Sequence, residues 1–132
     1  MNILAIGDVV GGIGCRFLRQ KLPAFKKFKN IDLVIANGEN SADGNGITPA
    51  SADFLFQSGV DVITGGNHSF RRKEVFPLYE ENAYLLRPAN FPQGTTPGRG
   101  MCIVDMGYTQ VAVISLMGTA LLESLDCPFH TV

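Results

Sequence analysis

Histidine and cysteine are scarce in this chain. There are two histidines and three cysteines in 132 residues. Cys15, Cys102 and Cys127 are widely spaced, so they make neither a disulfide framework nor a zinc pattern. Buried or inert thiols in a reducing cytosol are the expectation. A net charge of -1 gives no reason to expect DNA or an anionic membrane as partner. No apolar run approaches the about 18 residues a membrane-spanning helix needs. The opening stretch Met1–Asp8 lacks a basic region and meets an acid at once, unlike a signal peptide. A cytoplasmic location is therefore expected. What is plentiful is glycine (15), proline (7) and hydrophobic residues (45%). These fit one domain over residues 1–132, with tight turns and a real core.

Taken in order, short apolar runs alternate with helical patterns. Ile3–Ile6 reads as a strand buried on both faces. From about Cys15 to Phe28, Leu18, Leu22 and Phe25 recur at helical spacing, with Pro23 expected to kink or break the helix. The Arg and Lys residues between them read as a solvated face rather than a phosphate-attracting patch. Ile31–Ala36 is a second strand. Thr48 and Pro49 open a second helix as N-cap and first helical residue, with Ala52, Leu55 and Phe56 inward and Gly59 closing it. Val60–Thr64 is a third strand, and a third helix is expected around Arg72–Tyr79. Residues 87–92 and 95–100 read as loop. Met101–Met106 and Gln110–Leu116 read as a hairpin, and Leu121–Val132 as having no capped element. The fold class is thus α/β, a parallel βαβαβ start followed by a hairpin.

The three strand exits share a layout. They are Gly7-Asp8, Gly38-Glu39-Asn40 and Gly66-Asn67-His68, with 31 residues from Asp8 to Glu39 and 28 from Glu39 to Asn67. Taken singly, Asp8 could cap a helix, Glu39 could be a loop acid, Asn40 and Asn67 turn residues, and His68 a surface imidazole. Taken together, parallel neighbouring strands would bring all of them to one sheet edge. Two carboxylates and two amide oxygens there call for a positive partner, and hard divalent cations take such oxygens. Competing motifs fall short. The glycines after Ile6 lack the Gly-Lys-Ser/Thr ending of a phosphate loop and the third glycine of a dinucleotide fingerprint. No Gly-x-Ser-x-Gly elbow occurs, and nothing in sequence supports a cysteine nucleophile.

These residues resemble a known family. Gly7-Asp8-Val9-Val10-Gly11, Ala36-Asn37-Gly38-Glu39-Asn40, Gly46-Ile47-Thr48-Pro49, Gly66-Asn67-His68, Leu86-Arg87-Pro88-Ala89-Asn90 and Asp126-Cys127-Pro128-Phe129 are similar to the YmdB-like branch of the calcineurin-like metallophosphoesterases. The resemblance runs along essentially the whole chain. It implies a four-layer αββα sandwich, a two-metal centre (iron or manganese first, magnesium or zinc second) and phosphodiesterase activity on 2′,3′-cyclic nucleotides. By the same resemblance, Asp8 binds one ion, Glu39 bridges both, Asn67 binds the second, Asn40 is a ligand or contacts one, and His68 is the acid beside the substrate phosphate.

The chain departs from the family at Phe70, at Arg71-Arg72 and at His130, and above all in length. The resemblance implies three further metal-binding histidines in a following half, and His130 matches none of them. The expectation is therefore the N-terminal half of such an enzyme, with an incomplete site, an open sheet edge and possible homo-oligomers. Its partner would be a phosphoester or cyclic-nucleotide small molecule. The alternatives are a non-catalytic regulatory or binding module that keeps part of the metal site, and a generic phosphomonoesterase.

Overall fold

The computed structural model describes residues 1–132. Strands β1 (Ile3–Ile6), β2 (Leu33–Asn37), β3 (Val62–Thr64) and β4 (Leu85–Leu86) form one parallel sheet in that order. Helices α1 (Gly11–Lys29) and α2 (Pro49–Gln57) are the first two crossovers. A 3-10 turn at Lys73–Val75 followed by α3 (Phe76–Glu81) is the third. Strands β5 (Met101–Asp105) and β6 (Gln110–Ile114) pair as an antiparallel hairpin, a second small sheet. The parallel βαβαβ start and the following hairpin are as the sequence pattern implies.

Two-residue periodicity explains the layering. Side chains alternate faces along a strand. Val34, Ala36, Ile63 and Leu85 point to the helices and join the main core with Leu22, Ala52 and Leu55. Leu33, Val62 and Leu86 point the other way and meet Cys102 and Val113 of the hairpin. The central strands are apolar without alternation because both faces are covered. Each fully buried Val, Leu or Ile contributes about 1.5–3 kcal/mol.

β1 is different. Its continuous apolar run implies burial on both faces, yet Ile3 and Ala5 are exposed while Leu4 and Ile6 pack on the main core. It is the edge strand, and of the main sheet's strands the second core draws on β2, β3 and β4. The outer face of the hairpin is also bare, with Met101, Ile103 and Ile114 exposed.

The helix boundaries have local causes. Thr48 and Ser51 form a capping box, in which Ser51 N donates to Thr48 Oγ1 (3.2 Å) and Thr48 N to Ser51 Oγ (3.0 Å). Gly59 follows α2 at φ +101°, a conformation that suits glycine. α1 begins at Gly11, ahead of the expected Cys15. No nearby side chain caps it; Asp43 reaches in, its Oδ1 accepting from Gly12 N at 2.8 Å. Pro23 lies inside α1 on its exposed side, so water can take the Arg19 carbonyl left without a donor and the helix runs on to Lys29. Leu18 and Leu22 face the core as the spacing implies, joined by Cys15, whereas Phe25, expected inward with them, is 41% exposed.

Two elements go beyond the expected set. β4 is a two-residue strand in a stretch that carries no strand pattern. The end of the chain forms a single helical turn, α4 (Pro128–Thr131). Buried Asn90 ties that end down, its Nδ2 donating to the carbonyls of Met117 (2.8 Å) and Asp126 (3.1 Å). Cys15 and Cys102 are buried free thiols, and burial pushes both above the ordinary thiol range; Cys127 is exposed. No helix is long and apolar enough to cross a membrane.

Candidate active site at the strand exits

All strands of the main sheet end on the same edge, where open α/β sheets place their ligands. Backbone hydrogen bonds knit the exits together. Val9 N donates to Asn37 O (3.0 Å), Gly11 N to Asn40 O (2.8 Å) and Gly38 N to Thr64 O (3.0 Å). Asn37 closes its own turn, its Oδ1 accepting from Glu39 N at 3.2 Å.

The side chains meet on this frame. Asn40 Nδ2 donates to both oxygens of Asp8, at 3.0 and 2.9 Å. Its other end, Oδ1, lies 2.6 Å from His68 Nδ1. Because Nδ2 faces a carboxylate, Oδ1 must be the acceptor, so His68 Nδ1 carries a proton. Nε2 is then the ring nitrogen left for a ligand. Glu39 joins from the other side, its Oε2 accepting from His68 N at 2.7 Å. Asp8, Glu39, Asn40 and His68 are thus one connected group. Asn67, half-buried between Gly66 and His68, enters none of these bonds.

Both glycines before Asn67 are required by close approach. A Cβ on Gly66 would sit 2.6 Å from Glu39 Cδ, and one on Gly65 would collide with Ser69 Oγ. Ser69 is buried and locks the turn, accepting from Gly66 N (2.9 Å) and donating to Gly66 O (2.8 Å). The hairpin braces the turn through Ser115 Oγ, which donates to Gly65 O at 3.3 Å.

The donor set that converges is oxygen-rich, and it fits one side of a hard-cation site. Both carboxylates keep lone pairs beyond the hydrogen bonds they accept. Asn40 as arranged serves Asp8 and His68. No three His, Cys, Asp or Glu side chains gather closely enough to enclose an ion by themselves. His130 lies apart, lining a surface depression with Gln93 and Asp126 rather than the groove that holds Asp8 and Asn40.

Sequence reasoning missed Asp43 and Arg72. Arg72 Nε donates to Asn45 O (3.1 Å) and Nη2 to Asp43 O (2.9 Å), pinning the glycine-rich loop between β2 and α2. The positive φ of Gly44 and Gly46 marks that loop as one wrapped around something, but nothing local names the arginine.

Comparisons with known proteins show the same fold and the family of the chain. A 2′,3′-cyclic-nucleotide 2′-phosphodiesterase from Bacillus subtilis is 44% identical over 129 residues, covering 98% of this chain and 48% of that protein. A hypothetical protein of known crystal structure from Thermus thermophilus superposes with a TM-score of 0.91 at 39% identity, over 99% of this chain and 50% of the other. A novel phosphatase of known crystal structure from Mycoplasma pneumoniae gives 0.89 at 28% identity, over 97% and 47%. The chain spans about half the length of the curated relatives it matches. The family description "YmdB-like protein" matches residues 4–132, nearly the whole chain, and the chain belongs to that family.

Proposed function

We propose that the chain supplies one wall of a metal-dependent phosphodiesterase site whose substrates are 2′,3′-cyclic nucleotides. The observation that carries this reading is the Asp8–Asn40–His68 chain of hydrogen bonds beside the Glu39 carboxylate, at a parallel-sheet edge. Asp8 would hold one ion, Glu39 would bridge two, and Asn67 would contribute to the second, with iron or manganese preferred over magnesium or zinc. When bound, the ions would polarise the phosphoryl oxygens and supply hydroxide at neutral pH.

The chain's own residues do the rest. Asp8, through Asn40, fixes the ring of His68 with Nδ1–H turned inward, which leaves Nε2 for the substrate. Protonated there, His68 would give its proton to the oxygen that leaves phosphorus as the new P–O bond forms. With only one wall in this chain, turnover should be slow.

The test is hydrolysis of bis-p-nitrophenyl phosphate and of 2′,3′-cyclic AMP with added manganese. Slow, metal-dependent turnover that Asp8→Ala and Glu39→Ala abolish supports the reading. Turnover indifferent to metal or to both substitutions refutes it. A second reading is a binding module that keeps part of the site. It predicts partner binding lost in the same two variants, with no hydrolysis in the parent.

A further inference from the structure

Beside the strand exits lies a cavity of about 390 Å³ between the first turns of α1 and α2. Its volume is within the range of small-molecule sites. The groove that holds Asp8 and Asn40 is its neighbour: Gly12, Ala42 and Asp43 line both.

Two guanidinium groups face this cavity. Arg16 is exposed and spends no donor on the protein, and the one ion pair in the chain is Lys26–Asp61. Its Nη1 lies 2.9 Å from where a Cβ of Gly12 would be, so glycine lets the guanidinium fold back over the start of α1. Arg72 is held in place by its two backbone carbonyls, and Nη1 remains free. A Cβ on Gly46 would lie 2.8 Å from Arg72 Cγ, so the loop is shaped around this side chain.

The opposite wall is the first turn of α2, where the backbone N–H of Ala50 has no acceptor in the protein. Asp43, the one carboxylate in the lining, already accepts from Gly12 N. Two positive charges against one negative, with forked donors to spare, favour a phosphate over a base or a sugar.

We propose that this cavity is a subsite for a second phosphate group of the substrate. The enzyme would then prefer nucleoside cyclic phosphates that carry a further phosphate. This rests on reading the strand exits as a phosphoesterase site.

Inorganic phosphate titrated into the metal-free chain, followed by amide NMR, tests the binding. Without metal, Asp8 and Glu39 repel an anion from the strand exits. Saturable shifts are expected at Gly12, Ala50, Ser51 and Arg72, with affinity falling about tenfold or more in Arg16→Gln, since a charged hydrogen-bond donor is lost. Arg16 is exposed and its removal leaves the fold intact; Arg72→Lys, which keeps the charge but loses the fork, should weaken binding too. Absent shifts, shifts confined to Asn67 and His68, or unchanged affinity in Arg16→Gln overturn the proposal.

A turnover arm asks whether the phosphate belongs to the substrate. With manganese, a 5′-phosphorylated nucleoside 2′,3′-cyclic phosphate should exceed its unphosphorylated analogue in kcat/KM by about tenfold, and Arg16→Gln should bring the two near parity. Equal kcat/KM in the parent chain, with phosphate still bound, overturns the subsite role and leaves an independent anion site. No turnover of either compound defeats the phosphoesterase reading itself, and the metal-free titration separates that result from loss of the anion site.

Discussion

Gly66→Ala places a methyl group where the Glu39 carboxylate now lies. The new Cβ would fall 2.5 Å from Glu39 Oε2 and 2.6 Å from Cδ, far inside van der Waals contact. The carboxylate is the end of a flexible side chain, so it swings out and the backbone of the turn stays. The swing breaks the 2.7 Å hydrogen bond from His68 N to Glu39. A hydrogen bond to a charged group contributes about 1.5–3 kcal/mol, and a half-buried carboxylate recovers some solvation, so about 1.5 kcal/mol should be lost. For a domain of this size that lowers Tm by roughly 5 °C. Manganese affinity should fall about tenfold or more, because a carboxylate ligand has left its place. Thermal melting, the His68 amide shift and manganese titration would check this. An unchanged His68 amide together with parent-like manganese affinity would refute the claim that Gly66 exists to seat Glu39.

Thr48→Ala removes the cap acceptor for Ser51 N and should cost about 1 kcal/mol in urea unfolding, with the strand-exit residues unmoved in NMR. Tyr79 is wholly buried, and its phenol is pushed up to about 12, chiefly by burial, with the neighbouring Ser69 hydroxyl pulling it back and the charge of Glu39 raising it further. The folded state therefore keeps the phenol proton longer than the unfolded chain, whose ordinary value is 10.0. Its contribution is intact below about pH 10 and is lost as pH rises toward 12, at up to about 1.4 kcal/mol per pH unit. Tyr79→Phe should remove that part of the alkaline slope while leaving neutral-pH stability unharmed, because the hydroxyl has no hydrogen-bond partner to lose. Urea curves at pH 9 and pH 11 would decide it; an identical slope in the variant counts against it. The bare outer face of the hairpin and the open edge of β1 should drive self-association, which light scattering at high concentration would detect and a clean monomer would contradict.

What was legible in the sequence is what periodicity and local chemistry encode. The double-faced burial of β2 and β3 leaves continuous apolar runs, the Thr48-Pro49 start writes α2 directly, and each Gly-acid or Gly-Asn exit marks a strand end. What was not legible depends on residues distant in the chain. The start of α1 is set by Asp43, 31 residues beyond Gly12, so no local capping signal exists. β4 has two residues and owes its strand state to pairing with Ile63 and Thr64. The outer face of β1 is bare because the second core stops at β2, which no pattern within Ile3–Ile6 records. At the site, residue types and spacing named Asp8, Glu39, Asn40, Asn67 and His68. They could not say that Asn40 spends its amide on Asp8 and its oxygen on His68, which turns a list of oxygens into an oriented imidazole.

The central claim is that Asp8, Glu39, Asn67 and His68 face one metal-binding edge. Substoichiometric manganese added to isotope-labelled chain tests it most directly, because the paramagnetic ion broadens the resonances nearest to it. Signals of residues 8, 39, 40, 67 and 68 should disappear first, and Asp8→Ala with Glu39→Ala should prevent the effect. Broadening centred elsewhere, for example around Asp126 and His130, or equal in the double variant, would contradict it.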